Sequence, residues 1–127
     1  MILAEDTTPG AAPKRRGGAF VASLFAALVH GPSMVPTLRD GDALLVLRGG
    51  RPIRAGDIVV ATFRARPDLL VVKRAVRAQD GGWWLRGDND FVTDDSRGYG
   101  VADVHGRVVF RYWPRPGRLR SRIMLDN

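Results

Sequence analysis

The strongest constraint on the fold of this chain is its punctuation. From Phe20 onward, short apolar runs alternate with clusters of Gly, Pro and Asp. Ala43–Leu47 lies between Gly41-Asp42 and Gly49-Gly50, Ile58–Phe63 follows Ala55-Gly56-Asp57, and Leu69–Val76 follows Arg66-Pro67-Asp68. Trp83–Arg86 sits between Gly81-Gly82 and Gly87-Asp88, and Gly106–Tyr112 precedes Pro114. Runs of this length, enriched in Val, Ile, Phe and Trp and bounded by turn residues, are strands. Apart from the ambiguous run at 19–29, no segment keeps a 3.6-residue apolar period over three turns. The pattern predicts a mainly β single domain, its strands paired through hairpins into coiled, barrel-like antiparallel sheets.

A chain of 127 residues can bury one modest core, and 45% apolar residues are ordinary for a globular protein. The sequence divides into a Pro-, Gly- and Thr-rich lead-in at 1–18, expected to be disordered, and a folded unit at 19–113. A basic tail at 114–127 is expected to be loosely attached. Ala19–Val29, preceded by Lys14, Arg15 and Arg16, imitates a signal peptide. Its length falls short of the roughly 20 residues a spanning helix needs. It also leads straight into His30-Gly31-Pro32-Ser33, where removal would strand the candidate site described next, so it reads as the first strand.

With no cysteine, the chain has no disulfide scaffold, thiol nucleophile or Cys-based zinc or iron–sulfur site. Its formal charge is +7, carried mostly by arginine, with Lys14 and Lys73 as its two lysines. Such a balance fits a compositional bias as well as an anionic partner, and few aromatics are interleaved to stack bases. No nucleic-acid partner is expected. The cysteine-free composition is compatible with the cytoplasm, and a peripheral position at a membrane is the alternative.

Three segments can carry chemistry. In Gly31-Pro32-Ser33-Met34-Val35-Pro36 the backbone must leave its strand and bend, which can expose the Ser33 hydroxyl and aim the Ser33 N–H at a developing oxyanion. An ordinary serine-containing turn fits the same residues. In Leu69–Val76, strand alternation puts Val71, Lys73 and Ala75 on one face and Val72 and Arg74 on the other. A lysine sharing a face with Val and Ala loses hydration, which lowers its pKa and makes the amine a usable base. An edge lysine reaching back to water is the alternative. Finally, Gly87-Asp88-Asn89 precedes Asp94-Asp95-Ser96-Arg97. There the Ser96 hydroxyl can orient an amine, and an Asp95–Arg97 pair can pin the loop, although a solvated polar loop also fits. The Asp-rich stretch lacks the third ligand and turn glycine of a calcium loop, and no metal or cofactor is expected. His30 and His105 could each serve a serine, but neither has a carboxylate at a telling spacing.

Taken in order, these stretches resemble the type I signal peptidase family of Ser–Lys proteases. The match comprises Ser33-Met34-Val35-Pro36-Thr37-Leu38, Gly41-Asp42 with Leu44-Leu45-Val46, Gly56-Asp57-Ile58-Val59-Val60, Val72-Lys73-Arg74-Ala75-Val76, Gly87-Asp88-Asn89 and Asp95-Ser96-Arg97-Gly98-Tyr99-Gly100. The resemblance implies a β-rich catalytic domain with Ser33 as nucleophile, Lys73 as general base and Ser96 orienting the lysine. Asp95 and Arg97 match the supporting ion pair. Some members place a serine hydroxyl two residues before the nucleophile in the oxyanion hole; here that position is Gly31, and Pro32 has no N–H to offer. The family's bacterial exporters carry amino-terminal membrane spans and an inserted subdomain, neither of which is expected here. Within the family, Val72-Lys73-Arg74-Ala75-Val76, Gly81-Gly82-Trp83-Trp84 and Val92-Thr93-Asp94-Asp95-Ser96-Arg97 resemble the proteases that mature nickel-type superoxide dismutase. That similarity implies a precursor protein as partner and leader-peptide removal as activity, with the nickel belonging to the substrate. A general signal peptidase, a self-cleaving repressor lacking room for a DNA-binding domain, and a non-catalytic basic β-domain are the rival readings.

Overall fold

The computed structural model describes residues 2–6, by their backbone alone, and residues 22–124. Among the described residues seven strands follow one another: β1 (Ile2–Asp6), β2 (Ser23–Val29), β3 (Ala43–Arg48), β4 (Ile58–Phe63), β5 (Arg66–Gln79), β6 (Gly82–Arg86) and β7 (Ala102–Trp113). A single helical turn, α1 (Ser96–Tyr99), precedes β7. All pairings are antiparallel, in the sheet order β1-β2-β3-β7-β4-β5-β6. The β6 edge then meets β7 again where Trp83 pairs with Ala102, which curls β4, β5, β6 and β7 into a closed unit. The expected mainly β, barrel-like domain is what the chain forms.

The curl creates two apolar layers. One gathers Phe25, Val29, Met34, Leu38, Leu44, Val46, Ile58, Val60, Val72 and Val108. The other gathers Val59, Ala61, Phe63, Val71, Ala75, Leu85 and Ala102. Alternation along β4 and β5 feeds the two layers in turn, because successive side chains on a strand point to opposite faces. Val71 and Ala75 thus enter the second layer and Val72 the first, as the sequence pattern predicts.

Three expectations are corrected. Ile2–Asp6, inside the lead-in expected to be disordered, runs as an edge strand in register with Phe25–Val29. Its Ile-Leu-Ala start supplies a strand-compatible segment, and the open edge of β2 supplies a partner for its N–H and C=O groups. The rest of the lead-in lies outside the described residues. The strand read over Ala19–Val29 begins at Ser23, is second in the chain and not first, and residues 19–21 are outside the described residues. The segment after Trp113 is docked through its backbone. Gly117 exchanges hydrogen bonds with Arg111, Arg122 N–H donates to Gly56 O at 3.1 Å, and Arg74 Nη1 donates to Arg120 O at 2.8 Å. Leu119 packs against the first layer. Hydropathy does not reveal such an attachment, because carbonyls make most of it. Residues 125–127 lie outside the described residues.

Candidate active site

Ser33 sits in the turn after β2. Gly31 adopts φ +90°, a region that favours glycine, and turns the chain out of the strand. Val35 N–H bonds Pro32 O, Leu38 N–H bonds Met34 O, and Gly41 N–H returns to Val29 O. The fully buried Met34 and Leu38 anchor the turn from below, which leaves Ser33 at the surface of the core.

Lys73 comes from the middle of β5, opposite Val59 of β4. Its side chain is almost wholly buried, with 2% of the residue exposed, on the face that carries Val71 and Ala75. Burial pushes its pKa below the ordinary lysine value; the Asp95 and Asp94 carboxylates oppose the shift and Arg97 adds to it. An amine this dry is easier to hold neutral than one in water.

Ser33 and Lys73 line the same cleft, about 310 Å³ in volume, with His30, Gly31 and Pro32 at one side and Leu69, Val71, Val92, Asp94 and Tyr99 around the rest. No direct hydrogen bond joins the two groups, and among the described residues neither the hydroxyl nor the amine is engaged elsewhere. Leu69, Val71, Val92 and Tyr99 give the cleft apolar walls beside the two side chains.

The loop beside Lys73 is built by Asp95. Its buried carboxylate caps α1 by accepting from Arg97 N–H, receives Gly87 N–H at 3.0 Å and pairs with Arg97 Nη2 at 2.7 Å. Burial alone would raise the Asp95 pKa, but the Arg97 guanidinium and the two N–H donors outweigh it and hold the carboxyl below its usual range. The Asp95–Arg97 pair expected from the sequence is therefore present. Ser96 is buried in the same turn, but its Oγ accepts Leu85 N–H at 2.7 Å and makes no bond to Lys73. The reason is local: Ser96 starts α1 directly over β6, whose Leu85 N–H needs an acceptor.

The oxyanion side is also more definite than the sequence allows. Gly31 N–H donates to Asp40 Oδ1 at 2.9 Å, so it is not available as a second oxyanion donor. Ser33 N–H donates to no described group. His105 bonds Thr62 Oγ1 at 2.9 Å and lines a different depression, whereas His30 borders the serine cleft.

Sequence reasoning noted Gly87-Asp88-Asn89 but gave it no task. Asn89 N–H bonds Ser33 O at 2.9 Å, and Asn89 Nδ2 bonds Pro32 O at 3.0 Å. Gly87 passes so close that a Cβ there would stand 2.5 Å from Ser33 O. Asp88 is buried and takes two bonds from Arg74, at 3.1 and 2.6 Å, and one from Thr37 Oγ1 at 2.5 Å. One carboxylate thereby ties the turn that carries Ser33 to the strand residue next to Lys73. The available signal was Arg74 itself, an arginine on the apolar face of a central strand, which demands a buried partner.

Among the described residues no three His, Asp or Glu side chains gather as a metal site, and no helix is long and apolar enough to cross a membrane. The sequence matches the Peptidase S24-like family over residues 15–109. It is 34% identical over 113 residues to mitochondrial inner membrane protease subunit 1 of Xenopus tropicalis, with 68% of each chain covered. It is 30% identical to the human protein of that name over a similar span, again 68% of each chain. Signal peptidase IB of Staphylococcus aureus is 31% identical over 64 residues, covering 48% of this chain and 34% of that protein. These likenesses agree with the signal-peptidase wording of the motifs. With the match running from the lead-in through most of β7, the chain is a protease and belongs to the Peptidase S24-like family.

Proposed function

We propose that the chain is a serine endopeptidase that uses a Ser33–Lys73 dyad to remove the amino-terminal leader of a precursor protein. The observation that carries this reading is the placement of a largely buried serine and a dry, pKa-lowered lysine in the lining of one apolar-walled cleft. Neutral Lys73 takes the Ser33 proton as Oγ attacks the scissile carbonyl, and the Ser33 N–H faces the oxyanion. Protonated Lys73 then donates to the leaving amine. Water, activated by the same amine, releases the acyl group and restores the serine. Ser96, one residue from the Asp95 carboxylate that raises the Lys73 pKa, orients the amine once substrate closes the cleft. Asp95 and Arg97 keep that turn in place.

The substrate we propose is the precursor of nickel superoxide dismutase, processed in the cytoplasm. Support comes from the combination of Val72–Val76, Gly81–Trp84 and Val92–Arg97, which is similar to the proteases of that maturation step. Incubating purified protein with that precursor and sequencing the product's new amino terminus tests it. One defined cleavage, absent with Ser33→Ala, is expected; an intact precursor alongside cleavage of exported preproteins would move the assignment to a general leader peptidase. The names of the mitochondrial and staphylococcal relatives favour that second reading of the substrate. The dyad itself is tested separately, since Lys73→Arg must fail on either substrate.

A further inference from the structure

A second cleft, about 400 Å³ in volume, shares no lining residue with the one at Ser33. Arg51 and Asp57 from the approach to β4, Arg107 from β7, and Arg118, Arg120 and Ser121 from the docked carboxy-terminal segment supply its polar groups. Its charge is one-sided. Asp57 is the one carboxylate in the lining, and it is already saturated by two bonds from Arg51 and one from Arg54 N–H. Arg107 lies close enough to Asp57 to help hold its carboxyl below the usual range but makes no ion pair with it, and the Arg118 and Arg120 guanidiniums pair with no described carboxylate. Arg107 Nε is, besides, buried without an acceptor. A guanidinium donor withdrawn from water and left unpaired is costly unless something arrives to accept from it.

We propose that this cleft binds a compact phosphoanion carrying two or more negative charges. Guanidinium forks match phosphate oxygens in pairs, and two unneutralised forks, with the unsatisfied Arg107 Nε beside them, select multiple charge over a single carboxylate. No aromatic ring lines the cleft, so it offers no platform for a nucleobase and reads the phosphate alone. Two of the arginines ride on a segment whose backbone is fixed by Arg122 N–H on Gly56 O and Arg74 Nη1 on Arg120 O, so both side chains start from positions beside the cleft. The phosphate can be free in solution or presented by a lipid headgroup.

The full chain is titrated calorimetrically with sodium pyrophosphate at low salt, then assayed by flotation with phosphatidic acid and phosphatidylcholine vesicles. Saturable pyrophosphate binding is expected, weakened roughly tenfold or more in Arg118→Gln/Arg120→Gln. Both residues are exposed, so the double variant should melt like the parent in the absence of anion and cleave precursor at the parent rate. Arg107→Gln, which removes the buried donor, should weaken binding further. Retention on phosphatidic acid vesicles, competed by pyrophosphate and lost in the double variant, assigns a headgroup; pyrophosphate binding without vesicle retention assigns a free anion. No saturable binding in either arm, or equal binding by parent and variants, overturns the proposal.

Discussion

Replacing Lys73 with methionine separates what the amine does for chemistry from what it does to the fold. The site is 2% exposed and bordered by Val71 and Ala75, so an unbranched apolar side chain of similar length fits the space. The buried amine resists its proton, and its folded pKa lies below the value of 10.5 that it regains on unfolding. Between those two values the unfolded chain binds one more proton than the folded chain. Stability should therefore rise with pH across that interval at about 1.4 kcal/mol per unit, and the contribution is lost as pH falls through the folded pKa. Lys73→Met should lack this slope and equal or exceed the parent's stability at neutral pH. Peptide cleavage should drop by at least ~10²–10⁴, the usual worth of a positioned general base. Urea unfolding of both proteins at a series of pH values, together with initial cleavage rates, measures both halves. A methionine variant that cleaves within tenfold of the parent, or that keeps the parent's pH slope, would refute the assignment of Lys73 as a buried neutral base.

Asp88→Ala leaves the Arg74 guanidinium buried without its partner and should cost about 3–5 kcal/mol in urea unfolding, much of it recovered in Arg74→Met/Asp88→Leu. Gly87→Ala forces a Cβ against Ser33 O, at 2.5 Å in the present backbone, so the serine must move; kcat should fall by roughly 10² while circular dichroism shows an intact fold. Arg97→Gln removes the ion partner of the buried Asp95 and should cost about 1–3 kcal/mol at neutral pH. Because the Asp95 pKa is depressed, its contribution is fully present above the unfolded value of 3.8 and disappears as pH falls through the folded one. Thermal melts of parent and Arg97→Gln should thus converge in acid.

The β fold was readable because turn residues bracket nearly every strand, and Ile58–Phe63 in particular begins and ends where its flanking residues say. β5 runs longer than its apolar stretch, since it starts at the exposed Arg66, which pairs with Phe63 across a register shift without adding hydrophobicity. Lys73 was legible through alternation, and Asp95 with Arg97 through local spacing. What escaped depends on pairs distant in sequence. Thr37 meets Asp88 across 51 residues, and Arg74 meets Asp88 across 14. Neither spacing has a periodic signature, so nothing along the chain announces the carboxylate that joins the two halves of the site. The commitment of Gly31 N–H to Asp40 is of the same kind: a backbone donor's partner is decided by the turn's geometry, which hydropathy does not report.

β7 is the last strand to be synthesised, yet it is the one that sits between β3 and β4. The turn bearing Ser33 belongs to the β2–β3 side, and Lys73 belongs to the β4–β5 side. On a translating ribosome these two sides have no strand between them until residues 102–113 have cleared the exit tunnel. The nascent chain therefore holds Ser33 and Lys73 apart, and the cleft they share forms only after β7 has emerged.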